Sequence, residues 1–158
     1  TMEMKQTKKF NVVDVLVVVL VLLLLAFAGY KLLGHSEEES STVHISYTVK
    51  CENVSKEVYD NCQKYLPSQL MASGQLYDGS IKSVTEKPYY VLSGNGQWVE
   101  DPNRVTLYFD VECNVPGGSV MTTKVGEQEV RVGKTDYILK SEYIELDKCE
   151  ITSVTWDK

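Results

Sequence analysis

The hydrophobic pattern divides the chain in two. From Val12 to Ala28 every residue but Asp14 is apolar, and Gly29, Tyr30, Leu32 and Leu33 extend the stretch to about 22 residues, the length that crosses roughly 30 Å of hydrocarbon as a helix. A buried helix of a soluble domain would carry a polar stripe, and none interrupts Val15 to Ala28. A cleaved signal peptide would have a shorter apolar core followed by a small-x-small site, whereas Tyr30-Lys31-Leu32-Leu33 follows here. The pattern predicts a retained transmembrane helix over residues 12–33. Asn11, with Asp14 three residues on, reads as a helix N-cap with an acid in the first turn, where the helix dipole favours negative charge. The other role open to Asp14 is a polar contact to a partner helix in the bilayer. Val15, Val18, Leu22 and Leu25 would line a seam for such a helix, but Ala26 and Gly29 are only three apart and make no small-xxx-small motif.

After the span the period changes. Residues 34–42 form a polar linker rich in Ser and Glu. Val43, Ile45, Tyr47 and Val49 then alternate with His44, Ser46, Thr48 and Lys50, the pattern of a strand with one buried face, which turns His44 away from the core. Val54, Val58, Cys62 and Tyr65 recur at helical spacing, with Asn53 or Ser55 as cap and Pro67 as stop. From Gln69 onward short β segments are separated by Ser73-Gly74, Asp78-Gly79, Ser93-Gly94-Asn95-Gly96, Asp101-Pro102-Asn103 and Pro116-Gly117-Gly118. Val105, Leu107, Phe109 and Val111 alternate, as do Val130 with Val132 and Tyr137 with Leu139, while Ile151 and Val154 close the last strand. The prediction is a mainly β domain over residues 43–158, a small β-barrel or β-sandwich with one short helix.

The domain also echoes itself. Ile45-Ser-Tyr47-Thr-Val49-Lys-Cys51 lines up without gaps on Leu107-Tyr-Phe109-Asp-Val111-Glu-Cys113, and Ile81-Lys-Ser-Val84 lines up on Ile151-Thr-Ser-Val154. The second match needs a slightly larger offset, which an insertion around Gly117 and Gly118 explains. An internal two-fold repeat follows, each half a long strand, a variable connection, a Gly-bearing hairpin and a closing Ile-x-Ser-Val strand.

Charge sets the orientation. Lys5, Lys8 and Lys9 precede the span, while Glu37, Glu38 and Glu39 follow it with only Lys31 on that side. The positive-inside rule therefore puts residues 1–11 in the cytoplasm and the β domain outside it. A net charge of −6 with no broad basic face excludes nucleic acid as a partner. Cys51, Cys62, Cys113 and Cys149 all follow the span, on a disulfide-permissive side, so two disulfides are expected and three connectivities are open. Pairing Cys51 with Cys62, which closes a short loop and leaves Cys113 with Cys149, is one of them. With no Cys-x-x-Cys pair and His44 the only histidine of the domain, no metal site is expected, and nothing points to a cofactor.

Catalytic patterns are lacking. His35 lies in the linker and His44 on a polar strand face, so no Ser or Cys nucleophile has a base signalled beside it. Asp110 and Glu112 share one strand face, which reads as a solvated surface rather than an acid/base pair. Ser93-Gly94-Asn95-Gly96 lacks the Lys and Ser/Thr of a phosphate loop and reads as a hairpin tip. The one surplus is aromatic: ten tyrosines, among them Tyr77, Tyr89 and Tyr90, together with Trp98 and Trp156. Such residues either fill a β core or anchor interfaces and stack on sugars.

Several short motifs carry a resemblance over nearly the whole chain. These are Asp14 at the start of the span, Gly29-Tyr30-Lys31 at its exit, Tyr47-Thr48-Val49, Gly79-Ser-Ile81-Lys-Ser-Val84, Asp101-Pro102-Asn103-Arg104 and Val132-Gly133-Lys134. In these the chain resembles the bacterial family known as domain of unknown function 4330. The resemblance implies a single-pass envelope protein, supplies no activity, and does not extend to the four cysteines. Lys9-Phe10-Asn11-Val12-Val13-Asp14 is also similar to the start of a type IV pilin, which has Phe at its cleaved N-terminus and an acid four positions later. Lys9 stands where a Gly usually precedes that Phe, the acid is Asp rather than Glu, and residues 34–42 interrupt the helix a pilin continues.

The sequence thus predicts a non-enzymatic, membrane-anchored accessory or scaffold protein of the bacterial cell envelope. Its β domain would meet a protein or glycan partner, and its oligomeric state is left open. A pilin-like filament subunit and an envelope enzyme are the alternatives. Cleavage before Phe10 would mark the first, and an enclosed pocket gathering several carboxylates the second.

Overall fold

The computed structural model describes residues 11–33, 42–117 and 123–157. Two compact units, residues 1–39 and 40–158, make up the chain; residues 1–10 of the tail expected to be cytoplasmic, among them the pilin-like Lys9 and Phe10, and residues 34–41 of the linker lie outside the described residues.

The first unit is α1, Val12–Leu33. Its first turn closes reciprocally: the Asn11 amide donates to Asp14 Oδ2 at 3.2 Å, and the Asp14 amide donates to the Asn11 carbonyl at 2.8 Å. This arrangement satisfies amides that the helix leaves without partners, so Asp14 serves the cap. The window Val12–Lys31 has a mean hydropathy of 3.0 and no buried share, and is long and apolar enough to span a membrane.

The second unit is mainly β. β1 (Thr42–Ser55), β3 (Gln75–Leu92), β4 (Trp98–Pro116) and β8 (Glu145–Trp156) are long, β2 (Ser68–Ala72) and β7 (Tyr137–Lys140) short, and α2 (Lys56–Lys64) follows Ser55. A small ladder, β5 (Lys124–Val125) with β6 (Gln128–Glu129), stands apart. The six-stranded sheet runs β2-β3-β4-β1-β8-β7 and curls until its edges nearly meet. Leu70 bridges Ser141, Ser68 Oγ donates to Ser141 Oγ at 2.7 Å, and the Glu142 amide donates to the Gln69 carbonyl at 3.1 Å. The result is a nearly closed barrel, which removes most of the exposed edge an open sheet would present. Ile45, Val49, Ile81, Leu107, Phe109, Leu139 and Ile151 fill it, all fully buried.

The repeat accounts for this topology. β1 and β4 pair antiparallel with Ile45 opposite Cys113 and Cys51 opposite Leu107. In the sequence alignment Ile45 matches Leu107 and Cys51 matches Cys113, so each residue faces the counterpart of another, as a two-fold axis requires. Thr48 faces Asp110, its own counterpart, and the axis passes between them. The closing strands are exchanged: β3 of the first half lies on β4, and β8 of the second lies on β1. Ile81 opposes Val111 as Ile151 opposes Val49, and each closing strand bulges at the same place against its long partner, between Ile81 and Ser83 in the first and at the matching Ile151–Ser153 step in the second.

Three sequence expectations are corrected. Asp78-Gly79 and Asp101-Pro102-Asn103 do not separate strands but lie inside β3 and β4. Gly79 is required there by closeness, since a Cβ on it would stand 2.6 Å from the Glu112 carbonyl and 2.7 Å from Cys113 Cβ. Val130 is fully buried and Val132 is exposed, yet neither belongs to a strand: alternation alone, without a neighbouring strand, makes no ladder. Finally, one disulfide forms rather than two. Cys51 and Cys149 face each other across β1 and β8 with Cα atoms 4.5 Å apart, whereas Cys113 faces Gly79 and Cys62 sits on α2, and both are buried free thiols.

Candidate functional site

Two features of the β domain can meet another molecule. The first is the far end of the β3–β4 hairpin. β2 contacts β3 only as far as Ile81 and β1 contacts β4 only as far as Arg104, so beyond Pro88 and Arg104 the two strands pair only with each other among the described residues. They leave the barrel as a two-stranded ribbon. At its root Asp101–Arg104 bulges where β3 offers only Tyr89. The Asn103 amide donates to Asp101 Oδ1 at 2.8 Å, and Arg104 Nη1 donates to the Asn53 carbonyl at 3.0 Å, which holds the ribbon's direction. The turn at the tip is tied by Ser93, whose amide donates to the Gln97 carbonyl, and by Gly96 at φ +80°. Leu92 faces Trp98 and lies on the same side as Tyr90; these three are 60%, 71% and 53% exposed. From Tyr89 to Val99 there is no charged residue. The aromatic surplus is therefore divided, Tyr47 and Tyr137 filling the core while Tyr90 and Trp98 face outward.

The second feature is a polar groove of about 360 Å³ on the outer face of β1, β4, β3 and β2, lined by His44, Gln69, Asp78, Ser80, Lys82, Glu112 and Asn114 together with Gly79 and Cys113. Asn114 organises it. Its Nδ2 donates to Asp78 Oδ2 at 2.9 Å, which leaves its Oδ1 toward His44 Nδ1, also at 2.9 Å. A carbonyl oxygen can only accept, so Nδ1 carries the proton, and whenever the ring is neutral Nε2 is an acceptor. Gln69 Nε2 donates to the Tyr77 carbonyl at 2.9 Å, and Lys82 pairs with Glu112 at 3.4 Å. His44 is thus on the polar face as its strand period predicts, but the groove itself has no linear sequence signature. A signal was present in the repeat, which sets Gly79 where the second half has Cys149.

Beneath the groove the interior is buried. Tyr47 and Tyr137 share a hydrogen bond of 2.9 Å between their hydroxyls, with rings 6.1 Å apart edge to face. Burial raises the Tyr47 pKa well above its ordinary value and pushes Tyr137 up to about 12. Burial, with a smaller contribution from the Asp78 charge, pushes the Cys113 thiol up to about 11. A thiol held protonated is a poor nucleophile. Cys62 is likewise raised by burial, beside a small crevice where Tyr65 and Tyr143 stack at 5.2 Å. Asp110 is absorbed structurally: its two oxygens accept from Thr48 Oγ1 at 3.4 Å and Ser83 Oγ at 2.8 Å. Asn11 and Asp14 belong to α1 and take no part in either feature.

No curated protein matches the chain, and no solved structure does. A family model described as domain of unknown function (DUF4330) matches residues 4–154, from ahead of α1 to within β8, and so takes in the helix, both halves of the barrel, the ribbon and the groove. On that match the chain belongs to the family of domain of unknown function 4330.

Proposed function

We propose that this protein is a single-pass, membrane-anchored accessory or scaffold component of the bacterial cell envelope, with residues 1–11 cytoplasmic and the β barrel presented outside to a protein partner. The observation that carries this reading is the ribbon. A two-stranded ribbon is marginal on its own in water, and an exposed Tyr90–Leu92–Trp98 face is an unfavourable surface to leave bare. Trp and Tyr side chains of this kind form the centres of protein interfaces, where they bury large areas at little entropic cost. Pro88 and Pro102 remove amides at the root of the ribbon, which restricts indiscriminate strand addition there and favours recognition through side chains.

The test replaces Leu92 with a photo-crosslinking amino acid in native membranes and uses Glu127, exposed on the β5–β6 turn, as the control position. A single protein adduct from position 92, absent from position 127 and lost when Trp98→Ser is added, is the expected outcome. Adducts to lipid alone, or none, would remove the basis for the reading. An intact mass beginning at Phe10 would replace it with the pilin-like alternative.

A further inference from the structure

We infer that the groove over Gly79 is a carbohydrate-binding site, which takes a neutral sugar of one or two rings through hydroxyl groups donated to Asp78, His44 and Gln69. This is independent of the ribbon and of the protein partner assigned to it. Each of the three side chains is held at one atom and open at another. Asp78 uses Oδ2 for Asn114, His44 uses Nδ1 for Asn114, and Gln69 uses Nε2 for the Tyr77 carbonyl. Asp78 Oδ1, His44 Nε2 and Gln69 Oε1 have no partner among the described residues; the two oxygens are acceptors, and Nε2 is one when the ring is neutral. Acceptors already fixed in direction lose little entropy when a ligand arrives, the circumstance in which hydrogen bonds contribute most to affinity. Ser80 and Lys82, on the same wall, are donors. A sugar hydroxyl donates one hydrogen bond and accepts others, so an array of fixed acceptors flanked by donors suits a polyol better than an anion, which Asp78 and Glu112 would repel, or an apolar ligand, which would leave the acceptors unmatched. At about 360 Å³ the groove lies at the small end of the range for ligand sites, roughly 300–1,000 Å³.

The other half of the barrel supplies the second argument. At the matching place Lys50 pairs with both Glu52 and Glu150 at 3.1 Å, so the charged groups there satisfy one another, and Cys149 is bonded to Cys51. Starting from related strands, one end has become self-complementary, while the other keeps pinned polar atoms facing an open groove.

The experiment is a titration of the full chain in detergent micelles, followed by amide proton–nitrogen correlation spectra. The probes are N,N′-diacetylchitobiose, cellobiose, maltose and trehalose, with putrescine as a cationic control. The expected result is saturable shifts confined to Ser80, Glu112, Asn114 and their neighbours with at least one disaccharide. Asp78→Asn, which keeps an acceptor for Asn114 but presents an amide donor to the ligand, should weaken binding at least tenfold with the remaining spectrum unchanged. Gln69→Leu should also weaken it, and Trp98→Ala should leave it as it was. The inference is overturned if no disaccharide shifts these amides saturably, if Asp78→Asn and Gln69→Leu bind as tightly as the parent chain, or if putrescine alone occupies the groove.

Discussion

The two ends of the β1–β4 pair are related by the approximate two-fold axis but differ in how they are held. At one, Cys51 is bonded to Cys149 on the neighbouring β8; at the other, Cys113 faces Gly79 on the neighbouring β3. The first end is locked covalently. The second is held by close backbone approach, with a Cβ-less residue letting β3 lie against β4. One end of the barrel is thus closed by a disulfide and an ion-pair cluster, while the other forms the floor of a polar groove.

Removing the lock should have the largest effect. The disulfide joins residues separated by 98 positions, and on the chain-entropy estimate its loss costs about 4.7 kcal/mol. Cys51→Ser with Cys149→Ser, measured by urea unfolding in micelles, should show that loss, while Cys62→Ala should cost less. Thiol counting sharpens the result: two groups should label after unfolding without reductant and four with it.

Next comes the attempt to copy the lock onto the other end. Gly79→Cys would place Cβ 2.7 Å from Cys113 Cβ, well inside the roughly 3.5–4.5 Å that a disulfide spans. The substitution should therefore destabilise by about 2 kcal/mol through overpacking against backbone and leave all the new and old thiols free. A well-folded variant with a second disulfide would show that the two ends are still interchangeable.

The tyrosine pair separates packing from hydrogen bonding. Tyr47→Phe keeps the ring contact but leaves the Tyr137 hydroxyl buried without its partner, at about 1–2 kcal/mol. Tyr47→Phe with Tyr137→Phe should cost less than the sum of the single changes, because the second removes the group the first left unmatched.

Alkali should act through the open end. The Cys113 thiol has a folded-state pKa raised from 9.0 to about 11, so the folded chain keeps a proton that the unfolded chain releases. Stability is then fully present below pH 9.0 and declines as pH rises from there toward about 11. Cys113→Ala should flatten that part of the pH–stability curve, with the later decline due to Tyr47 and Tyr137 retained. Smallest of all, Lys50→Met should change stability by less than about 1 kcal/mol, since ion pairs with partly exposed partners contribute little.

Much of this architecture was legible in the residues. A long apolar stretch without a polar stripe satisfies its own backbone as a helix, which is why α1 and its Asn11–Asp14 cap were readable. The alternation of Val43–Val49 and Val105–Val111 marked β1 and β4, and the pairing of the repeat anticipated a two-fold barrel. The candidate site was only half legible. Tyr90 and Trp98 were visible as surplus aromatics, but their exposure depends on where β1 and β2 stop pairing. His44 was placed outward, yet its link through Asn114 to Asp78 joins positions 70 and then 36 residues apart in the chain.

What the sequence determined by itself was the local and the periodic: the apolar helix, the cap, the strand faces, and an echo between the two halves written into matching side chains. The tertiary structure decided the pairings. Exchange of β3 and β8 between the halves set Cys149 against Cys51 and Gly79 against Cys113, and so chose one disulfide from among the open connectivities. Local preference is read from neighbours along the chain, whereas strand partners are chosen by burial and closure of the whole sheet, which no single segment contains.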